Sequence, residues 1–400
     1  MVERRPAIRP ETRRAVGRSR CTVVLGGGIG GVVAANELRR HLPAAHRVVL
    51  VDRERQHVYQ PSLLWQLVGE RRPGEFSRPL DRLQRKGIEF RHAEACSLDL
   101  ERGVVETTAG ELGYDSLVIS LGARLAPEEV CGFEGMAHNL YSAEGCARIH
   151  EALGRLTDGV VAILVPELPF KCPAAPYEAA FLAEAFIRRR GIRRNVEVHV
   201  FTPEHTPLPV APAALGESVE ELMAARGIRY HPLFTFEELR PEACELVASD
   251  GRTHRADLVM VVPPHRAPDV VRSSPLLGLS GFVHVDARTL QTNYDDVYAI
   301  GDVATIKLPN GKALPKAGVF AHAEAKVVAR RIAATARGGT PDSVFEGHGH
   351  CWLELGDGRA GFAGGDFFAE PEPRVVLRRP GRSLHWGKVA FEKWWLHHWL

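Results

Sequence analysis

Cys172 is the side chain with the clearest chemical potential. In 170-FKCPAAPYE-178 it stands directly before a proline and beside Lys171, just after the apolar run 159-GVVAILVP-166. Pro173 and Pro176 suit the first turn of a helix, and 174-AAPYEAAFLAEAFIRRRG-191 reads as that helix, with basic residues in its last turn and Gly191 as its stop. A thiol at the positive end of a helix and next to an ammonium favours the thiolate, so a lowered pKa and thiol–disulfide chemistry are expected at Cys172. Free cysteines are often inert buried hydrophobes, but the Cys-Pro-x-x-Pro-Tyr-Glu setting turns the reading toward redox. Glu167 is close enough in sequence to serve as a general acid or base there. An exposed carboxylate at a strand end is the plainer account of it.

The second signal is built from glycine. In 21-CTVVLGGGIGGVVAANELRRHL-42, a β-branched run leads to Gly26, Gly28 and Gly31 in GxGxxG spacing and then into a helical pattern. The first glycine permits a tight turn, the second lets backbone approach a pyrophosphate, and the third allows close helix packing. The strand 47-RVVLVDRE-54 ends in Asp52, 21 residues after Gly31, where a carboxylate can accept from an adenosine ribose. Both halves of a Rossmann dinucleotide fingerprint are therefore present.

A third signal comes late in the chain. The apolar strand in 294-YDDVYAIGDVATI-306 closes on Gly301-Asp302 ahead of the helical pattern 318-GVFAHAEAKVVARRIAATARGG-339. An aspartate there can accept from a ribityl hydroxyl while the helix start faces the ring; alone, it would read as a helix N-cap. The stretch 116-SLVISLGARL-125 has the strand-then-glycine form that crosses between two halves, with Gly122 at its turn.

The elements that must position these residues are strands alternating with helices, an α/β class of chain. At 400 residues the length suggests roughly two to three domains. Fifty-one basic against 49 acidic residues give +2, which argues against nucleic acid as a partner. Seven cysteines, an odd number, do not form a secreted disulfide framework and fit a cytosolic setting with selected redox thiols. Residues 1–19 read as a disordered basic tail with no apolar stretch of signal-peptide length behind it. No window approaches the roughly 20 apolar residues of a spanning helix, so membrane contact is expected to be peripheral, at the cytoplasmic face.

Together the fingerprint, Gly122 and Gly301-Asp302 resemble the two-dinucleotide-binding-domain flavoproteins, which places FAD rather than NAD at Gly26. With 57-HVYQPSLLWQL-67 and 314-LPKAGVFAHAEA-325 the chain resembles, from about residue 20 onward, the sulfide:quinone oxidoreductases and their relatives flavocytochrome c sulfide dehydrogenase and type II NADH dehydrogenase. The resemblance implies two Rossmann-like domains: an FAD domain split across 20–124 and 283–337, and a second domain at 125–282. Residues 338–400 would add a strand region bearing a redox cysteine and an amphipathic aromatic helix. It also implies an FAD site that includes Arg53, Gln60 and Lys316 beside the glycines and aspartates, with Lys316 at the pyrimidine end. A solvated surface lysine is the alternative for Lys316.

The same resemblance gives Cys172 a partner, Cys351 in 345-FEGHGHCWLELGDGRAGF-362, as the second member of a disulfide or sulfur-bridged pair against the flavin. A metal site at His348, His350 and Cys351 is a weak rival, since a fourth ligand is lacking. Hydrosulfide would attack the bridge, leaving a persulfide and a thiolate, and two electrons would pass to FAD and on to a quinone. A type II NADH dehydrogenase needs a second glycine loop after the strand at 159–165; here Pro166 to Cys172 contain no glycine, so no NADH site is expected. Where many family members carry a third cysteine, this chain has Tyr141, with Cys131 and Cys146 out of register, which puts covalent flavin attachment in doubt. Cys21, Cys96 and Cys244 read as structural.

Four of the six tryptophans fall in 384-LHWGKVAFEKWWLHHWL-400, interleaved with Lys388, Lys393 and histidines. Tryptophans and cations suit a helix lying in the lipid–water interface, from which a quinone would reach a pocket lined by Phe320 and Tyr59. Burial against the protein, or a contact in a homo-oligomer, is the alternative. Two other functions stay open: a related flavin oxidoreductase with another thiol donor or acceptor, and a flavin-bound persulfide carrier or redox sensor.

Overall fold

The computed structural model describes residues 20–400; the basic segment 1–19 lies outside the described residues. Its first sheet has five parallel strands in the order Val297–Ala299, Ser116–Ile119, Cys21–Leu25, Arg47–Asp52, Glu89–His92. The runs CTVVL and RVVLVD are almost wholly buried, as parallel strands covered on both faces must be. One cover is the helix Ile29–His41 that follows the glycine loop, packed against the long helix Gly318–Ala336. Strand order reverses between Cys21–Leu25 and Ser116–Ile119, so a crevice opens at their carboxyl ends, above Gly26. The strand at 297–299 returns to this sheet after a long excursion, which makes the unit discontinuous in sequence.

That excursion builds a second five-stranded parallel sheet, ordered Ala137–Asn139, Leu258–Val261, Gly159–Leu164, Val196–Phe201, Ile228–His231. The helix Ala175–Arg189, nearly all buried, lies between this sheet and the remainder of the chain. The remainder is a three-stranded antiparallel sheet, His348–Glu354, Ala360–Asp366 and Arg374–Gly381, followed by the aromatic helix Arg382–Trp399.

The aromatic helix has two unlike faces. Lys388, Glu392, Trp395 and Trp399 fall on one stripe and are buried. Trp386 and Trp394 point away and are 66% and 47% exposed. The interfacial and buried alternatives for these residues divide between the two faces: Trp395, Trp399 and Lys388 belong to the protein's interior, while Trp386 and Trp394 stay outside. Among the described residues, no helix is long and apolar enough to cross a membrane.

Candidate active site

A cavity of about 680 Å³ occupies the crevice above the first sheet and brings most of the sequence-derived cofactor set together. Gly26, Gly28, Asp52, Arg53, Gln60, Gly122, Gly301, Asp302 and Lys316 all line it. Gly26 has φ +101°, and a Cβ there would collide with the Ser120 carbonyl oxygen. Gly31 does not line the cavity; it lets the helix approach the Gly26 carbonyl. A Cβ on Gly28 would meet nothing and project into open space, as a phosphate cradle requires. Asp52 accepts from the amides of Gly27 and, at 2.6 Å, Glu54; burial raises its pKa and those amide bonds oppose the rise. A glycine cradle, a strand-end carboxylate and the Gly301-Asp302 turn around one elongated cavity fit a flavin adenine dinucleotide.

The Gly301-Asp302 turn is fixed from beneath by two residues. Glu324, fully buried in the following helix, accepts from the Gly301 amide at 2.6 Å, and burial pushes its pKa up to about 7. Lys316 donates to the carbonyls of Asp302 at 2.7 Å and Ala304 at 2.9 Å and sits 3.6 Å from the Phe282 ring centroid. Burial lowers its pKa to about 8, against the pull of Asp302 and Glu324. Lys316 is therefore no solvated surface lysine.

Cys172 lines the same cavity. Its φ of +50° is unusual for a residue with a side chain, and a local frame holds it there. The Cys172 amide donates to the Lys316 carbonyl at 2.6 Å, and the Tyr141 hydroxyl reaches the carbonyls of Lys171 at 2.8 Å and Cys172 at 3.3 Å. Tyr141, noted in the sequence only as standing where a third cysteine would be, thus braces the cysteine loop.

Burial opposes the thiolate expected at Cys172. Burial holds its thiol well above the ordinary cysteine range, with the Cys351 thiol adding to the rise. Lys171, the neighbour expected to counter this, turns its ammonium to Gln60 Oε1 at 2.7 Å instead. The cation that acts on both thiols is Lys388, from the aromatic helix. Cys351 lies on the strand His348–Glu354, opposite Ala363. Its surroundings push its thiol up to about 12, with Glu178 adding to the rise, although the residue as a whole keeps an open surface. The two cysteines are near enough for the Cys351 thiol to act on that of Cys172.

Behind the cysteines lies a buried ionic cluster that sequence reasoning missed. Lys388 Nζ is 3.0 Å from Glu178 and 3.7 Å from Glu354, Glu178 accepts from the Glu354 amide at 2.9 Å, and His385 sits 3.1 Å from Glu354. Burial works against the Lys388 charge, but the two carboxylates outweigh it and raise its pKa. Lys388 also stacks 5.0 Å from the Trp65 ring centroid, with Arg71 at 4.6 Å.

The remaining candidates fall at the margins. Glu167 does not line the cavity: half exposed, it is paired with Arg266, which also takes Glu129. Tyr59 is buried against Trp395, ring centroids 5.3 Å apart, and burial raises its pKa, with Glu392 and then the Cys351 thiol adding to the rise. Phe320 packs edge-on to Phe367 at 5.0 Å and borders a small cleft beside Lys316 and Glu324. At the end of the second sheet, the Tyr177 hydroxyl donates to buried Glu204. Among the described residues, no group of three His, Cys, Asp or Glu is placed to hold a metal.

The sequence matches the family described as pyridine nucleotide-disulphide oxidoreductase over residues 21–163 and 178–327. It is 29% identical over 365 residues to the mitochondrial sulfide:quinone oxidoreductase of Mus musculus, spanning 87% of this chain and 78% of that protein. It is also 29% identical over 395 residues to the sulfide-quinone reductase of Aquifex aeolicus, spanning 94% and 90%. The crystal structure of the sulfide:quinone oxidoreductase from Aquifex aeolicus superposes with a TM-score of 0.85 at 26% identity, covering 95% of this chain and 91% of that one. The chain belongs to the pyridine nucleotide-disulphide oxidoreductase family and, within it, is an FAD-binding flavoenzyme of the sulfide:quinone oxidoreductase group.

Proposed function

We propose that the enzyme oxidises sulfide to sulfane sulfur or polysulfide through Cys172 and Cys351 and delivers the electrons to a membrane quinone. The observation that carries this reading is the placement of Cys172 in the wall of the cofactor cavity, with the Cys351 thiol within its field and one buried cation, Lys388, acting on both. FAD, when bound, supplies a two-electron acceptor beside the thiols. Oxidation of the two thiols to a disulfide releases two electrons and two protons. Hydrosulfide then attacks one sulfur of that bond, leaving a persulfide there and a thiolate on the other cysteine. A second hydrosulfide takes the outer sulfur away as a hydrodisulfide anion, which returns the two cysteines to the reduced state, and their re-oxidation to the bridge releases the two electrons drawn from sulfide. Lys388 favours the thiolate product electrostatically, against the burial that disfavours it. Tyr141 and the Lys316 carbonyl hold the Cys172 loop in its positive-φ turn.

Seven cysteines, an odd number outside any secreted disulfide framework, favour a reducing compartment, hence the cytoplasmic face of the membrane. Peripheral contact rests on the exposed Trp386 and Trp394 of the aromatic helix, and a quinone entering from that side would pass Tyr59 and Phe320.

The test is anaerobic. Sulfide is expected to bleach the flavin absorbance of the purified protein and a soluble quinone to restore it. Cys172→Ala and Cys351→Ala are each expected to keep FAD and lose the bleaching. Retained bleaching in either variant removes that cysteine from the mechanism, and bleaching by NADH in place of sulfide overturns the reading.

A further inference from the structure

A second cavity, of about 820 Å³, lies apart from the cofactor site, where the segment 74–86 meets the last turns of the aromatic helix. Four cations line it: Arg78, Arg82, Arg85 and Lys86. Residues 72–86 hold five basic and two acidic side chains, a local excess of positive charge on a chain whose net charge is +2.

The four cations that line the cavity are not neutralised internally. Arg78 donates to the Ser77 carbonyl at 2.7 Å, and Lys86 donates to the His398 carbonyl at 2.8 Å and to Asn36 Oδ1 at 3.2 Å; all are neutral acceptors. Among the described residues, none of the four cations forms an ion pair, and Arg82 and Arg85 are exposed and make no side-chain hydrogen bond. The wall contributed by the aromatic helix is different in kind: Leu396 and Leu400 are apolar, and His397 lies at the exposed edge. One helical turn before His397, Trp394 projects outward, and Trp386 lies on the same outward stripe. A site with a cationic rim, leucines in its wall and exposed tryptophans alongside matches an amphiphile with a phosphate at its polar end.

We infer that this cavity seats the phosphate headgroup of an anionic glycerophospholipid at the bilayer surface and so orients the aromatic helix on the membrane. The inference rests on the peripheral-membrane reading above and adds a lipid specificity that tryptophans alone would not supply. Basic residues close to an anionic leaflet contribute about 1 kcal/mol each, which is roughly a fivefold change in partitioning per charge.

The test is flotation of the FAD-loaded protein with vesicles of phosphatidylcholine, with and without phosphatidylglycerol. Wild type is expected to bind the anionic vesicles more strongly, increasingly so as ionic strength falls. Arg82→Gln/Arg85→Gln is expected to lower binding to the anionic vesicles roughly 25-fold while leaving the weaker binding to phosphatidylcholine and the flavin spectrum unchanged. Trp386→Ala/Trp394→Ala, by contrast, is expected to lower binding to both. Anionic-vesicle binding by the arginine variant within twofold of wild type, or equal wild-type binding to both vesicles, overturns the lipid site while leaving the membrane reading intact. Binding by wild type to neither overturns both. Displacement by inorganic phosphate, at an ionic strength where chloride leaves binding intact, would mark a free-anion site and overturn the lipid assignment.

Discussion

Replacing Lys388 with methionine removes a buried charge while keeping a chain of similar length. At the observed 3.0 Å, the attraction between Lys388 and Glu178 is roughly 5 kcal/mol for an effective dielectric constant near 20. Glu354 at 3.7 Å adds roughly 4 kcal/mol more. Desolvation of three buried ions offsets most of this, so the assembled cluster is nearly neutral for stability, but deleting one partner strands the others. Breaking a buried pair in this way costs about 3–5 kcal/mol. With an unfolding entropy of roughly 2.1 cal/mol/K per residue over 400 residues, Tm should fall by about 4–6 °C if the chain unfolds as one unit. Glu178→Gln/Lys388→Met should recover at least half of that loss, because Glu354 keeps His385 at 3.1 Å. Differential scanning calorimetry of the FAD-loaded proteins supplies the double-mutant cycle. A Tm for Lys388→Met within 1 °C of wild type, or a double variant no better than the single, would refute the view that the cluster is a mutually dependent unit. The same substitution removes the cation that opposes the rise in the Cys351 pKa, so flavin bleaching by sulfide should slow and its pH profile move upward.

Glycine replacements at the cofactor loop should separate backbone strain from cofactor exclusion. Gly26→Ala, forced to φ +101° against the Ser120 carbonyl, should lose about 1–3 kcal/mol from strain alone, together with its FAD, whereas Gly28→Ala should keep the apoprotein Tm and lose only FAD. Comparing apoprotein melting and the ratio of flavin to protein absorbance distinguishes the two, and equal behaviour would refute the assigned roles. Glu324 has a folded-state pKa of about 7, above the ordinary 4.5, so its contribution is fully present below pH 4.5 and is lost as pH rises through about 7. Glu324→Gln should therefore flatten the fall in stability over that window, by on the order of 3 kcal/mol at most; parallel Tm–pH curves for variant and wild type would show that Glu324 does not titrate there.

The cofactor half of the site was legible because its determinants are local. Gly26, Gly28 and Asp52 act through a turn, a helix start and a strand end, and each is encoded within a few residues of where it works. Gly301-Asp302 was legible for the same reason. Glu324 follows that turn by 23 residues and could have been found as a carboxylate one helical stretch beyond it. The sulfur half was less legible because its determinants are distant in sequence. Local rules of helix dipole and adjacent lysine predict a thiolate at Cys172, yet the environment around it is built by burial, by Cys351, by Glu178 six residues on and by Lys388, most of it from positions far along the chain. Lys171 is adjacent in sequence and turned elsewhere; Lys388 is distant and acts on the thiol.

The aromatic helix shows why composition alone could not decide between membrane and core. Its tryptophans and lysines form one population by type but two by helical phase. Positions 388, 392, 395 and 399 repeat at intervals of four, three and four, the spacing of a buried stripe, whereas 386, 390, 394 and 397 follow the opposite face. The buried stripe couples the helix to Cys172 and Cys351 through Lys388 and to Arg71 through Glu392 at 2.9 Å. The outer stripe holds the exposed tryptophans and ends beside the cationic cavity. A helix so divided places one face on the charge cluster behind the thiols while its other face remains available to a bilayer. Displacing it would therefore disturb both together, so membrane-binding and thiol-reactivity defects should appear jointly in variants of the buried stripe and separately in variants of the outer one.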